Sequence, residues 1–459
     1  MTATTPQESL SLPSEHGALD YKWMARALAL ARKGEALTHP NPMVGAIVVA
    51  GDRAVGQGFH TYDGVKHAEI LALEEAGGRA RGATLYLNLE PCCHQGRTGP
   101  CTDAVIAAGI SRVVAAMADP NPKVAGRGFE ILRRAGIEVL TGVLETEARR
   151  LNEAFACWIR TGRPLVTLKV GLTLDGRVAV DGPKAGRGDA GLKAGATRAE
   201  RYARYARTDA GLKAGATRSA RYARYAKTDA GLKAGATRAA NHERWITTEH
   251  SREEVQRMRH ASDAVVTGIG TVLADDPLLT DRTGLARRRP LVRVVLDSRL
   301  RLPLRSKLVR TADGDVLVVT RASENSARAY DLEYAGVEVM RVNGTGAGRK
   351  SRGGAGIPLE QVMDALGELE MLAVMIEAGP RLMRSALEAG IVDKAVLFYA
   401  PRFLGGAALP MLPTVNGHGR ASGRRQKSGN MPELSDVTLR RFGPDFAVEG
   451  YLRDVYRNR

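Results

Sequence analysis

Short, almost wholly apolar runs alternate with helix-length segments along most of this 459-residue chain. That alternation restricts the fold more than any other feature. VGAIVV (44–49) is apolar at consecutive positions, so such a strand must be covered on both faces. Helical periodicity runs over YKWMARALALAR (21–32), and further helices are expected over 67–76, 102–108 and 129–135, the last two ended by Gly109 and Gly136. Strands are expected at TLYL (84–87), 112–116 and 138–140. Strands interleaved with helices predict an α/β fold. A second alternating run starts at Leu165, with strands at VTLKVGL (166–172), DAVVTG (263–268), VRVVLDS (292–298), DVLVVT (315–320), EVMRV (338–342), LAVMIEAG (372–379) and AVLFYA (395–400). The boundary falls near 145–163, where a polar helix is expected to end in Thr161-Gly162-Arg163-Pro164. The expected organisation is therefore a polar tail 1–19, a first domain 20–147, a linker 148–163 and a second domain 164–459. TGAGRKSRGGAG (345–356) and residues 416–430 read as Gly/Arg-rich loops.

One segment does not fit this pattern. Residues 189–208 and 209–228 are copies differing at three of twenty positions, and 229–240 begins a third. Each copy has one Leu and two Tyr as large apolar groups, too few for a core, and solenoids need three full repeats. A Thr197/Glu200 capping box favours local helix, and Gly191, Gly195, Gly211 and Gly215 interrupt it. The block 183–240 holds 14 Lys/Arg and 4 Asp/Glu, so it carries +10 of the formal net charge of +17. Arginines interleaved with Tyr202, Tyr205, Tyr222 and Tyr225 could bind single-stranded nucleic acid. A solvated, partly helical insertion explains the same composition without a partner.

Composition closes other routes. The chain is 44% hydrophobic and 25% charged, as in ordinary globular proteins. No run approaches the ~18 apolar residues of a membrane span, and the first twenty residues lack the apolar core of a secretory signal. Four cysteines do not make a disulfide framework, so a reducing cytoplasm is the expected compartment.

The chemistry lies in the first domain. His67-Ala68-Glu69 is followed by Pro91-Cys92-Cys93-His94 and then Cys101. One His and two Cys supply three zinc ligands and leave a fourth position for water, while Glu69 can shuttle the water's proton to a leaving amine without binding metal. This pattern is the H-x-E…P-C signature of zinc deaminases, with Cys92 and Cys101 more widely spaced than usual. Cys93 cannot easily reach the metal that Cys92 binds, and Cys157 is expected to be a packing residue. His60 and His94 could touch substrate or be surface histidines.

Several motifs in fixed order carry a resemblance. His39-Pro-Asn-Pro-Met-Val-Gly45, His67-Ala-Glu69, Leu89-Glu-Pro-Cys-Cys-His94, Gly96-Arg-Thr98 and Asp119-Pro-Asn-Pro122 occupy the first half. Leu168-Lys-Val-Gly-Leu-Thr-Leu-Asp-Gly-Arg177, Trp245-Ile-Thr247, Gly268-Ile-Gly-Thr-Val-Leu-Ala-Asp-Asp-Pro277, Leu296-Asp-Ser298 and Glu377-Ala-Gly-Pro380 occupy the second. Together they resemble the bifunctional deaminase/reductase family of riboflavin biosynthesis, over nearly all of the chain outside the tail and 183–240. The resemblance implies a cytidine-deaminase-like three-layer domain followed by a dihydrofolate-reductase-like domain. It implies zinc-dependent deamination of a diamino-pyrimidinone carrying a phosphoribosylamino group, then NADPH reduction of the ribosyl chain to ribityl. One Zn2+ per chain, NADPH, a phosphorylated pyrimidine substrate and homo-oligomerisation through the reductase domain follow from it; a nucleic-acid or membrane partner does not.

Carried over position by position, His67, Cys92 and Cys101 correspond to metal ligands, Glu69 to the proton carrier, and Asn41 to a substrate contact. Gly171, Trp245, Thr271, Asp275 and Ser298 match NADP-binding positions. The segment Gly379, Pro380, Arg381, Leu382, Met383, Arg384 and Ser385 matches the cofactor phosphate loop. Arg259, Leu279, Arg282 and Glu377 match substrate contacts, and two arginines suit a phosphosugar. Lys169 and Asp275 are possible proton carriers. Gly344-Thr-Gly346-Ala-Gly348 lacks the strand–helix frame of a Rossmann fingerprint.

Three departures stand out. Glu243 takes the place of a serine that contacts substrate, Arg381 replaces a small polar residue, and the 183–240 block separates Ala179 from Trp245. They leave two alternatives open: an active deaminase with an impaired reductase, or a nucleic-acid deaminase using the basic block.

Overall fold

A computed structural model describes residues 15–96, 99–179, 245–323, 325–342, 356–406, 408–412 and 432–456. The basic repeats, the Thr197/Glu200 capping box, Glu243, the loop 416–430 and nearly all of 345–356 lie outside the described residues.

The first sheet has five strands in the order β2-β1-β3-β4-β5: β1 (Gly45–Ala50), β2 (Arg53–Phe59), β3 (Thr84–Leu87), β4 (Arg112–Ala115) and β5 (Glu138–Thr141). β1 pairs antiparallel with both β2 and β3, whereas β3, β4 and β5 run parallel. The pleat sends alternate side chains to opposite faces. Ala46, Val48, Leu85, Leu87 and Val113 meet α2 (Ala68–Ala76), α3 (Cys101–Ala107) and α4 (Arg127–Arg134). Ile47, Val49, Tyr86 and Val114 meet Trp23, Met24, Ala27 and Leu28 of α1 (Glu15–Arg32). The result is the expected three-layer sandwich. Two glycines let helices lie against its backbone: a Cβ on Gly45 would sit 2.2 Å from the Ala27 carbonyl oxygen, and one on Gly56 would sit 2.0 Å from that of Ala72.

The second sheet has nine strands in the order β11-β10-β9-β8-β12-β6-β13-β16-β15. These are β6 (Leu165–Thr173), β8 (Ala264–Gly268), β9 (Val292–Leu296), β10 (Val316–Thr320), β11 (Glu338–Arg341), β12 (Ala373–Ile376), β13 (Lys394–Ala400), β15 (Ser435–Phe442) and β16 (Asp445–Tyr451), with short β7 (Arg177–Ala179) and β14 (Leu409–Pro410) pairing apart. Strands from β11 to β13 are parallel, and β16 and β15 close one side antiparallel. Apolar clusters line both faces.

All seven strands expected in the second run are present; besides the short β7 and β14, three longer strands, β2, β15 and β16, are not visible from periodicity. β2 reads RAVGQGF, broken by two glycines. β15 is an edge strand whose residues are mostly exposed, so its sequence has no buried face to reveal. β16 is legible only once β13 supplies its partner.

The boundary also differs from the expected polar helix. Two helices occur there, α5 (Glu145–Leu151) and α6 (Glu153–Thr161), and α6 buries Phe155, Ala156 and Cys157. Asn152 between them bonds both the N–H and the carbonyl of Met43. Glu153 pairs at 2.9 Å with Lys394 on β13. The segment is docked onto both domains because its apolar face has somewhere to go.

Candidate active site

The zinc constellation closes in space because two helices begin beside the end of β3. His67 caps α2 in an extended conformation, and Cys101 is the first residue of α3. Cys92 lies on the turn between β3 and α3. His67 Nδ1 is 3.2 Å from Cys101 Sγ and 3.5 Å from Cys92 Sγ. The three ligand atoms all lie within 4.8 Å of one another. The Cys101 N–H donates to Cys92 Sγ at 3.4 Å. A hydrogen bond from Cys101 holds the Cys92 thiol below its ordinary range. A His nitrogen and two cysteine sulfurs are a three-ligand set that fits catalytic zinc, with the fourth position left for water.

Glu69 is 3% exposed, in the first turn of α2. Burial pushes its carboxyl up, which suits a group that must both take and give a proton. Cys93 stands outside the ligand cluster, and Cys157 is a packing residue as expected, buried against Leu165 and Val455. His94 is exposed.

His60 is not a surface histidine: it is 4% exposed and edge-on to His67 with ring centroids 5.4 Å apart. Its Nδ1 bonds the Lys66 carbonyl at 2.9 Å, and its Nε2 lies 3.0 Å from Asn41 Nδ2. Asn41 is thereby fixed beside the metal pocket. Periodicity missed two further polar supports. Asn88 bonds Gly45 N and Met43 O. Glu90 accepts backbone N–H groups from Asp119, Gly126, Gly128 and Phe129, which ties the Cys92 turn to the start of α4. The signal available in sequence was a charged residue beside an apolar strand end, inside Leu89-Glu-Pro-Cys.

The reductase residues gather along the carboxyl edge of the second sheet, as ligands do in open α/β sheets. Glu377, just past β12, is the hub. Lys169 Nζ on β6 donates to its Oε1 at 3.1 Å, and Arg259 donates to its Oε2 through Nε (3.0 Å) and Nη2 (2.9 Å). Burial raises the Glu377 carboxyl, but Lys169 and Arg259 outweigh it and hold it at about 2. Arg259 Nη1 also donates to Thr280 O, fixing the turn that carries buried Leu279 in a left-handed conformation (φ 56°) and Arg282. Burial and the nearby Arg259 lower the Arg282 guanidinium's pKa.

The phosphate-loop candidates form the turn into the helix Pro380–Glu388. Gly379 caps it, with its N–H donated to Thr271 Oγ1 at 3.1 Å from the neighbouring helix Ile269–Asp275. Helix N-termini present free N–H groups to phosphate. Among the described residues, only Thr247 Cγ2, at 3.8 Å, comes within 4 Å of a Cβ built on Gly171. Trp245 is 54% exposed at the edge of the described region. Ser298 follows β9, while Asp275 and Arg381 are exposed. Leu382 packs over Gly268, Arg384 pairs with Glu388, and Ser385 is exposed one turn in. Met383 is 1% exposed in the core, and its N–H goes to Gly379 O.

Comparison with known proteins agrees with this arrangement. Residues 18–117 match the cytidine and deoxycytidylate deaminase zinc-binding region, and residues 226–448 match the RibD C-terminal domain. The chain is 37% identical to the riboflavin biosynthesis protein RibD of Aquifex aeolicus over 387 residues, covering 84% of this chain and 88% of that one. It is 34% identical to the Escherichia coli protein over 442 residues, covering 94% and 98%. Among solved structures it resembles Acinetobacter baumannii RibD (TM-score 0.68, 32% identity, 95% and 99% covered). It also resembles a diaminohydroxyphosphoribosylaminopyrimidine deaminase/5-amino-6-(5-phosphoribosylamino)uracil reductase from Thermotoga maritima (TM-score 0.67, 30% identity, 95% and 99% covered). With a zinc-ligand set in one domain, a Lys–Glu–Arg cluster in the other and this similarity along nearly the whole length, the chain belongs to the RibD family of bifunctional riboflavin-biosynthesis enzymes.

Proposed function

We propose that the two pockets perform consecutive steps of riboflavin biosynthesis on a phosphorylated pyrimidine. The first is hydrolytic deamination of 2,5-diamino-6-(5-phosphoribosylamino)pyrimidin-4(3H)-one. Water adds to the ring carbon bearing the amine, and ammonia leaves. Zinc held by His67, Cys92 and Cys101 supplies a Lewis acid that makes water nucleophilic at neutral pH. Glu69 takes the water's proton on its carboxylate and hands it to the departing nitrogen. Asn41, fixed by His60, orients the pyrimidine.

The second step is reduction of the opened ribosyl chain to ribityl, for which bound NADPH would supply the hydride. Gly171, Trp245, Thr271, Asp275, Ser298 and the 379–385 turn hold the cofactor, with Gly379 and the first turn of its helix at the phosphates. Arg259, Leu279, Arg282 and Glu377 hold the sugar phosphate end. Lys169 Nζ is the proton donor for the reduced carbon's heteroatom. The observation that carries this reading is the convergence of three soft ligands beside the buried Glu69 carboxyl.

Among the described residues no helix is long and apolar enough to cross a membrane. Cytoplasmic location and homo-oligomerisation through the reductase domain complete the proposal; exposed Val437 and Leu439 on edge strand β15 support the latter. The test is to supply the diamino-pyrimidinone with zinc-loaded protein and follow ammonia and NADPH separately. Ammonia release without NADPH, followed by NADPH oxidation when it is added, is expected. NADPH oxidation on the un-deaminated substrate at an equal rate would contradict the order.

A further inference from the structure

The loop that carries Asn41 is held from the other domain. Residue 263 stands at the start of β8 in the reductase sheet, and its carboxylate accepts the backbone N–H groups of Leu372 (2.7 Å) and Ala373 (3.0 Å). The same carboxylate meets His39 Nδ1 through both oxygens, at 2.8 and 2.9 Å. Both partners are largely buried, with 11% and 13% of their side chains exposed. Asp263 is thus a rigid post anchored in the second sheet, and His39 is two residues from Asn41.

Arg288 grips the same loop at two more points and a neighbouring loop at another two. Its backbone N–H donates to Ala36 O at 3.0 Å, and its Nη1 donates to His39 O at 2.7 Å. Its guanidinium lies 3.5 Å from the centre of the Tyr62 ring, and its Nε reaches Asp63 at 3.4 Å. Planar stacking and a fixed donor fork are what distinguish Arg from Lys here. The loop 36–43 presents Asn41; the loop 60–66 presents His60. Tyr62 N also donates to Leu37 O, so one guanidinium clamps the pair. From the zinc pocket outward, the His67 ring meets the His60 ring and His60 meets the Asn41 amide; the backbone then leads two residues back to His39, which meets Asp263.

We propose that the reductase domain forms part of the deaminase, with Asp263 and Arg288 acting as positioning residues that hold Asn41 and His60 at the zinc pocket. This rests on the assignment of that pocket to deamination. Neither residue touches metal, substrate or cofactor. Their effect falls on how the pyrimidine is seated, since small displacements of positioning groups carry large rate penalties, while the zinc ligands and Glu69 are placed by other elements: the start of α2, the turn after β3 and the first residue of α3.

The test uses the full-length, zinc-loaded protein with Arg288→Ala, Arg288→Lys, His39→Gln and Glu69→Gln. For Arg288→Ala we expect the deamination KM to rise about tenfold with kcat within about threefold. Zinc content and NADPH oxidation on supplied aminouracil stay at wild-type levels, and Arg288→Lys falls between. His39→Gln raises KM in the same sense, and combining it with Arg288→Ala gives less than the product of the two because they hold one loop. An unchanged deamination KM in both single variants overturns the proposal, as does an equal fall in both activities of a variant that keeps its zinc. If Arg288→Ala does not fold, His39→Gln decides by the same criterion. Retained turnover in Glu69→Gln would instead sink the deaminase assignment itself; a dead Glu69→Gln beside wild-type clamp variants sinks only the clamp.

Discussion

In the first domain, three ligands and a carboxylate come from the opening turns of two helices and the end of one strand, all within residues 67–101. In the second, the candidate residues are spread from Gly171 to Ser385 and meet only because parallel strands end on one edge. The first site is short-range and soft-ligand; the second is long-range and built on a buried charge cluster. A metal site of the first kind tolerates distant insertions, because its members share local backbone. A site of the second kind depends on every strand that feeds it, and the basic block enters between Ala179 and Trp245, two of its own approaches.

The largest effect that could break this contrast is at Glu69. Glu69→Gln should retain zinc and lower deamination at least a thousandfold, within the range of lost general acid–base catalysis, while reduction of supplied aminouracil stays intact. Zinc analysis and the two separate assays read it. Next is Glu377→Gln, which leaves Lys169 and Arg259 without their shared anion. Removing one partner of a buried charge pair costs about 3 kcal/mol or more, so reductase turnover should fall about a hundredfold and thermal stability should drop, with deamination nearly unchanged. A variant with wild-type NADPH oxidation would show that the cluster is not part of the site. Deleting 183–240 should leave ammonia release within about twofold of wild type, because loop length costs little; loss of deamination in a folded deletion protein would break the separation.

The smallest effect is in pH. The Glu377 carboxyl is held at about 2, below its ordinary value of 4.5. A depressed carboxylate contributes stability above its unfolded pKa and loses it as pH falls through the folded one. The stability gap between wild type and Glu377→Gln should therefore be complete above about pH 5 and shrink as pH falls from 4.5 toward 2. Denaturant melts at stepped pH check it; a gap that widens in acid would reverse the sign.

The alternation of strands and helices was legible because VGAIVV and LAVMIEAG must be buried on both faces. The zinc set was legible because His-x-Glu and Pro-Cys mark helix starts. β15 was hidden, since an edge strand reading SDVTLRRF has no core face to pattern it. The polar supports at Asn88, Glu90 and Asn152 were hidden because their partners are backbone groups far along the chain. His60 could equally be read as a substrate contact or a surface residue, since only the packing of the fold brings it against His67. The clamp at His39 and Asp263 joins residues 224 positions apart, beyond any local pattern.

The central claim is that one chain carries two chemically independent reactions in series. It is tested most directly by giving Glu69→Gln protein the diamino substrate in one vessel and the aminouracil in another, each with NADPH and zinc. No ammonia and no NADPH oxidation are expected in the first vessel, and wild-type NADPH oxidation in the second. Ammonia release in the first vessel, or no oxidation in the second from a folded, zinc-loaded protein, would contradict it.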